Sequence, residues 1–217
     1  MATEPLPGSA PSNSGIDLYW IPLGAGGNGY VRLNGRVYEA IKARFERRRS
    51  FDLYHTALEV RVPDGRFTIE NAWPSPDADT RSRGVVMEGP VFNRLLARFR
   101  LFRYEVRCWR DGVIPDAGDA VASPQQLSDD PLVAQRLLSV VASVPAVIWG
   151  RDELGTGEMW NSNSVIAWLI TRIGLPAESI EPPPGGRAPG WKEGIAMARQ
   201  GQTDKPAGSD SETETGP

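Results

Sequence analysis

The sequence predicts an α+β fold in which an antiparallel sheet packs against helices. Alternating apolar and polar residues at 51–62 and 66–73 flank the turn residues Pro63-Asp64-Gly65, which is typical of a β-hairpin. Two later apolar segments, 132–144 and 165–173, have helical spacing and follow residues that cap helices. Because 217 residues with 40% hydrophobic content can form one core of ordinary size, we expect a single domain.

The two ends of the chain differ from its middle in composition. Residues 1–15 are rich in Pro, Ser, Gly and Asn, and residues 200–217 are acidic and polar, so we expect both to be disordered and the domain to span 16–199. Five carboxylates and one lysine of the tails contribute −4 to the net charge of −3 (Glu4, Asp204, Asp210, Glu212, Glu214 and Lys205). The remaining charge of about +1 identifies no class of partner.

Composition argues against several kinds of site. The single cysteine, Cys108, excludes an internal disulfide and a multi-cysteine metal site, and the single histidine, His55, makes a zinc site unexpected. We therefore predict no cofactor. The apolar runs are too short to cross a bilayer, and the N-terminus lacks a basic start followed by an apolar segment, so we expect a cytoplasmic protein.

The first strand is predicted at Ile16 to Leu23, where Pro22 ends it or places it at a sheet edge. Residues 24–29 then match the G-x-G-x-x-G pattern of dinucleotide-binding proteins. That function requires a helix at the last glycine and an acidic residue at the end of the next strand. Here β-branched and aromatic residues follow at 30–33, and Asp52 begins the next strand, so nucleotide binding is disfavoured.

Residues 35–49 are predicted to form a helix, because their apolar residues recur at helical spacing. A hairpin turn at Asn34-Gly35 is the alternative. The arginines in the last turn of this segment suit the negative end of a helix dipole, which accounts for the run of charge.

The hairpin at 51–73 has one apolar and one polar face, because side chains alternate along a strand. The apolar face carries Leu58, Val60, Val62, Phe67 and Ile69. The polar face carries His55, Ala57, Glu59, Arg61, Thr68, Glu70 and Ala72.

Glu70 is the candidate carboxylate to orient the His55 imidazole, since a carboxylate on the same face can fix its tautomer. Pairing Val62 with Phe67 would put Glu70 opposite Glu59, four positions or roughly 13 Å from the histidine along the ladder. A bulge or a different register is therefore required, and a shift of one residue would favour Asn71.

Further strands are predicted at 84–88 and 101–110, with a helical turn at 92–97 between them. Tyr104, Val106 and Cys108 share one face of the second strand, so Cys108 is interpreted as a buried, inert thiol. Six arginines alternate with aromatic and other apolar residues in this region, at positions 94, 98, 100, 103, 107 and 110. This pattern is typical either of RNA binding or of a sheet with one solvent-exposed face. The net charge of the domain is close to zero, which favours the solvent-exposed sheet.

Two later helices carry clear start signals. Ser128 to Pro131 provides a cap and a first-turn proline for the helix at 132–144. Asn161 to Ser164 supplies capping residues for the helix at 165–173, which places the Ser162 hydroxyl at a helix N-terminus. The unpaired N–H groups of the first turn favour a developing negative charge, as an acyl-transfer nucleophile requires. The alternative is that the Asn and Ser residues at 161–164 serve only as helix caps. A strand or loop at 146–149 precedes this stretch, and a short segment at 191–199 ends the domain.

These two regions resemble a known family. Tyr54-His55-Thr56-Ala57-Leu58-Glu59-Val60 opens the hairpin, and Asn161-Ser162-Asn163-Ser164-Val165-Ile166 opens a helix a hundred residues later. Both are similar to the circularly permuted papain-like superfamily, including its PPPDE isopeptidase and lecithin retinol acyltransferase branches. In that family a histidine at a strand start precedes an Asn-Cys-Asn-type helix start that carries the nucleophile. The resemblance spans roughly 16–173 and implies a permuted papain-like fold.

The resemblance implies two alternative functions, because Ser162 stands where the family has its cysteine. In the first, Ser162 attacks with His55 as general base and Glu70 orienting it, giving an amidase, peptidase or esterase. Backbone N–H groups would stabilise the oxyanion, with Asn161 or Asn163 adding a donor. In the second, the domain is catalytically inactive and binds a ligand or a protein. The partner is thus an acyl, peptide or isopeptide substrate or a protein, without a membrane span, and nucleic acid is disfavoured.

Overall fold

The structure, a computed structural model, describes residues 14–23, 51–74 and 84–203. The predictions for the glycine-rich residues 24–29 and for a helix at 35–49 lie outside these residues, as do 1–13 and 204–217 of the predicted tails. The described part is an α+β structure with an antiparallel sheet and helices packed on it. The predicted fold class is confirmed.

The described strands are β1 (Gly15–Pro22), β2 (Asp52–Val62), β3 (Gly65–Ala72), β4 (Val85–Pro90), β5 (Arg103–Arg110), β6 (Gln125–Ser128) and β7 (Gly186–Arg187). The α-helices are α1 (Pro131–Val140), α2 (Ser162–Arg172) and α3 (Trp191–Thr203). The sheet order is β4-β5-β3-β2-β1-β6 with antiparallel neighbours, and the short β7 pairs in parallel with the start of β2. No sequence pattern predicted β6 or β7, because both are too short for a recognisable alternation.

The hairpin register differs by two residues from the pairing considered above. Val62 pairs with Gly65 and Val60 with Phe67, so the turn contains only Pro63 and Asp64. The φ of Gly65 is +141°, a backbone conformation that side-chain-bearing residues rarely adopt. This glycine can therefore begin the return strand immediately after a two-residue turn.

The loop between β4 and β5 corrects the predicted helical turn at 92–97. Two short 3₁₀ turns occupy Leu96–Arg98 and Arg100–Phe102 instead. A helix cannot begin at Phe92, because its φ is +61° and right-handed helices require a negative φ.

The sheet separates two environments. Leu58 and Val60 face a core that also contains buried residues of α1 and α2, such as Leu137 and Ile166. On the opposite face, Ala57 and Ile21 form a small apolar cluster with Ile114. Around that cluster lie charged side chains that pair with one another (Asp17, Glu59, Arg61, Glu70, Glu105 and Arg107). The predicted assignment of residues to the two hairpin faces is confirmed.

The described domain extends slightly beyond the predicted limits of 16–199. Gly15 already pairs with Arg61 of β2, and α3 continues to Thr203. Within the described residues, no helix has both the length and the apolar character needed to span a membrane.

Candidate functional site at the start of helix α2

The start of α2 is a complete helix cap. The Asn161 side-chain oxygen accepts hydrogen bonds from the backbone N–H groups of Asn163 at 2.9 Å and Ser164 at 3.4 Å. The Ser164 hydroxyl in turn accepts from the backbone N–H of Asn161 at 3.0 Å. This reciprocal arrangement is a capping box, which satisfies N–H groups that a helix start otherwise leaves unpaired. The predicted capping role of this stretch is confirmed.

Asn163 joins α2 to the sheet. Its side chain is buried, and Nδ2 donates to the backbone oxygens of Tyr54 at 3.0 Å and Pro189 at 2.9 Å. The Thr56 hydroxyl donates to Asn163 Oδ1 at 3.0 Å. One amide therefore contacts both residues that flank His55 on β2.

The start of α3 lies against the same residues. Ser164 Oγ donates to the backbone oxygen of Gly190 at 2.8 Å, and Asn161 Nδ2 donates to that of Pro189 at 2.8 Å. A Cβ on Gly190 would come within 2.5 Å of Asn161 Oδ1, and its φ is +90°, so this position accepts glycine only. We refer to Thr56, Asn161, Asn163, Ser164, Pro189 and Gly190 together as the polar junction.

Two glutamates hold the segments around the polar junction. Glu158 Oε2 accepts from the backbone N–H groups of Gly190 at 2.8 Å and Lys192 at 3.1 Å, which places a carboxylate at the positive end of α3. Glu193 is fully buried and accepts from the Glu153 backbone N–H and the Thr156 hydroxyl. Both carboxylates therefore anchor the loop before α2 to the first turn of α3.

The His55 side chain points away from α2. Thr56 lies on the core face and bonds directly to Asn163, so its neighbour His55 lies on the opposite face of β2. There His55 pairs across the strands with Ile21, which belongs to the small apolar cluster. Burial lowers the pKa of His55 below its usual 6.5, and the more weakly acting Asp116 opposes this shift.

Glu70 interacts with an arginine. Its Oε1 lies 3.5 Å from Arg107 Nη1, and Arg107 also forms a 2.8 Å ion pair with the buried Glu105. Burial raises the pKa of Glu70, and Arg107 partly offsets that effect. The carboxylate that acts to raise the pKa of His55 is Asp116, whereas the contact of Glu70 is the ion pair with Arg107, so the role of Glu70 in orienting His55 stays a prediction.

The predicted site residues thus fall into two groups. Asn161, Ser162 and Asn163 lie together at the start of α2, whereas His55 and Glu70 lie on the other face of the sheet. The predicted oxyanion hole uses the backbone N–H groups of Ser162 and its neighbours, and of these the N–H groups of residues 163 and 164 are bonded to Asn161.

The sequence interpretation missed the partners of Asn163. Thr56 is a buried polar residue in the apolar row that also contains Tyr54 and Leu58, which indicates a polar partner across the core. The polar residue at an apolar position of the hairpin pattern could therefore have been recognised from the sequence. The contribution of Pro189 and Gly190 had no comparable signal, because backbone oxygens carry no sequence pattern.

The described residues offer little basis for a metal-binding site or a reactive thiol. There, no three His, Cys, Asp or Glu side chains are grouped closely enough to hold a metal ion. Burial raises the pKa of the Cys108 thiol to about 11, which keeps it protonated and unreactive near neutral pH.

Comparison with known proteins identifies no relative: no family model, curated protein or solved structure matches the chain. The resemblance to the permuted papain-like superfamily therefore stays a prediction.

The only histidine of the chain provides a direct test of the burial described for His55. We expect the imidazole protons of His55 to titrate in NMR spectra with a midpoint below 6.5, because burial disfavours the charged form. The unfolded chain then binds the proton more readily, so this group lowers the stability of the folded state as the pH falls through 6.5. The same protein in urea serves as the control and should titrate near 6.5. A folded-state midpoint above the urea value would instead indicate a close carboxylate partner.

Proposed function

We propose that this chain is a catalytically inactive binding or interaction domain in which the polar junction holds α2 and α3 on the sheet. The observation that carries this proposal is the direction of the Asn163 amide, which bonds to Thr56 and thereby fixes His55 on the opposite face. A serine is a weak nucleophile and needs a general base within hydrogen-bond reach. The His55 imidazole does not meet that requirement for Ser162.

The hydrogen bonds already formed at the N-terminus of α2 support the same proposal. An oxyanion hole consists of donors that are available when negative charge develops. At the start of α2, the amide oxygen of Asn161 already accepts from two backbone N–H groups, and the side chain of Asn163 is engaged by three partners. A substrate would have to displace these contacts.

Labelling with a fluorophosphonate probe tests this proposal. We expect the wild-type chain to label no more than Ser162→Ala, because the hydroxyl has no base to ionise it. We also expect Ser162→Cys to react with iodoacetamide at the same rate with and without His55→Ala, because only the helix N-terminus, and no imidazole, lowers the pKa of that thiol. Ser179→Cys, at an exposed position, is the positive control for alkylation of an accessible thiol. Labelling that disappears in Ser162→Ala and also in His55→Ala would establish a serine hydrolase and overturn the proposal.

A further inference from the structure

The loop between β4 and β5 exposes more large apolar side chains than any comparable stretch of the described chain. Four of them are at least half exposed: Phe92 at 75%, Leu95 at 78%, Phe99 at 51% and Leu101 at 81%. The base of the loop is closed by a 2.8 Å hydrogen bond from the Val91 N–H to the Phe102 oxygen. Residues 92–101 therefore form a compact projection whose tip is apolar.

Several hydrogen bonds hold the loop although it has little regular structure. Backbone hydrogen bonds from Phe99 to Leu96 at 2.9 Å and from Phe102 to Phe99 at 3.0 Å stabilise its two 3₁₀ turns. Arg103 reaches back from β5 to donate to the Ala97 oxygen. The apolar side chains are thus held in place before any partner arrives, which lowers the entropy cost of binding.

Phe92 is held outward by an uncommon backbone conformation. Its φ is +61°, and the Asn93 N–H donates to the Val91 oxygen at 2.7 Å, which closes a tight γ-turn around it. Such strained residues persist where the surrounding structure imposes them, and they cluster at sites that bind.

The charge of the loop is entirely positive. Residues 91–102 include Arg94, Arg98 and Arg100 and contain no carboxylate. The acidic residues that flank the loop in sequence are both paired, Glu88 with Arg103 at 2.9 Å and Glu105 with Arg107 at 2.8 Å. Arg94 and Arg98 are exposed, whereas Arg100 is half-buried, and its Nε and Nη2 are buried without a hydrogen-bond acceptor among the described residues. An anionic partner would complement this loop.

A cavity of about 380 Å³ opens beside the apolar tip. Arg94 and Arg151 both line it, together with Phe92, Asn93, Ile148 and Glu153. Arg151 Nε lies 3.7 Å from Glu153 Oε2 in this cavity, so Arg94 is the guanidinium that a phosphate would meet without displacing that ion pair. Trp149 pairs with Val91 at the loop base, and its ring lies 5.4 Å from that of Trp73, which is 55% exposed.

We propose that the loop at 92–101 docks this domain on the surface of an anionic phospholipid bilayer, with its apolar side chains inserted and the exposed Arg94 and Arg98 among the headgroups. This deepens the proposed binding function and rests on it. Isolated leucines and phenylalanines that protrude between cations match the side chains of interfacial membrane segments, and exposed Trp is favoured at the same depth. A nucleic acid is a less suitable partner than a membrane, because leucine offers no stacking surface for bases. A protein is also less suitable, because leucine is under-represented among the residues that dominate protein–protein binding energy.

Co-sedimentation with lipid vesicles tests the proposal on the full chain. Vesicles of phosphatidylcholine with about one third phosphatidylserine should bind the protein, and pure phosphatidylcholine should bind it much less, because each arginine near an anionic surface contributes a factor of roughly five. The double variant Leu95→Ser/Leu101→Ser should lower the partition constant at least about tenfold, since two exposed apolar side chains are lost.

The matched control is Leu132→Ser on α1, whose side chain is 69% exposed but lies elsewhere. It should leave the partition constant within about twofold of the wild type. Absence of binding to the anionic vesicles would overturn the proposal, as would equal losses in the control and the double variant. Because probe labelling at Ser162 is measured without vesicles, failure of membrane docking and failure of the proposed inactive site are separate results.

Discussion

Asn163→Ala is expected to lower the free energy of unfolding by about 3–5 kcal/mol. The substitution removes three hydrogen bonds and leaves the Thr56 hydroxyl and two backbone oxygens buried with fewer partners. Each such buried group costs about 1–3 kcal/mol when it is left unsatisfied. The measurement is equilibrium unfolding in urea, followed by tryptophan fluorescence.

The adjacent Ser162→Ala is the control for this variant. It changes the same turn of α2 by one polar atom, at a half-buried position with no role in the polar junction, and should change the stability by less than about 1 kcal/mol. Thr56→Val removes only one of the three hydrogen bonds and should fall between the two, at about 1–2 kcal/mol. Equal effects of Ser162→Ala and Asn163→Ala would contradict the structural role assigned to the junction.

Gly194→Ala is expected to destabilise the domain by about 3 kcal/mol, at the upper end of the usual overpacking cost. A Cβ at this position would lie 2.2 Å from the Ser164 backbone oxygen and 2.8 Å from its Cα. Because these are backbone atoms of α2, no side-chain rotation relieves the collision, and the two helices must separate. Thermal and urea unfolding measure the loss.

The same helix supplies a matched control for Gly194. A Cβ on Gly201 would meet no atom within 4 Å, so Gly201→Ala should stabilise α3 slightly, by up to about 1 kcal/mol, through the better helix propensity of alanine. Opposite signs for the two substitutions are the expected result. A neutral Gly194→Ala would show that α2 and α3 do not cross as closely as described.

Local sequence signals predicted much of the fold correctly. Alternation assigned the two faces of the hairpin and placed Tyr104, Val106 and Cys108 on one face of β5, and all three contribute to the core. The cap and proline before α1 and the capping residues before α2 also marked real helix starts. These features depend on neighbours in sequence, which is why they can be interpreted without coordinates.

The candidate site was harder to predict because it depends on which face of the sheet α2 covers. The apolar row of β2 had to face the helices, and alternation then put His55 on the other side. The prediction of a Ser162 and His55 pair relied on order along the chain and did not use this constraint. Thr56, the residue that contacts α2, looked like an interruption in the apolar row.

The hairpin register and the loop at 92–101 escaped prediction for different reasons. The register depends on Gly65 adopting a φ of +141°, which the residue type permits but does not require. The loop contains apolar residues that composition assigns to a core, whereas four of them are exposed. Exposure of that kind is a property of the folded chain and has no local sequence signal.

The most direct test of the inactive-site account is a nuclear Overhauser spectrum of the folded protein, read from the single imidazole. We expect cross-peaks from the His55 ring protons to the methyl groups of Ile21, its cross-strand neighbour, and none to the β-protons of Ser162. Cross-peaks between the imidazole and Ser162 would place base and hydroxyl together and contradict the account.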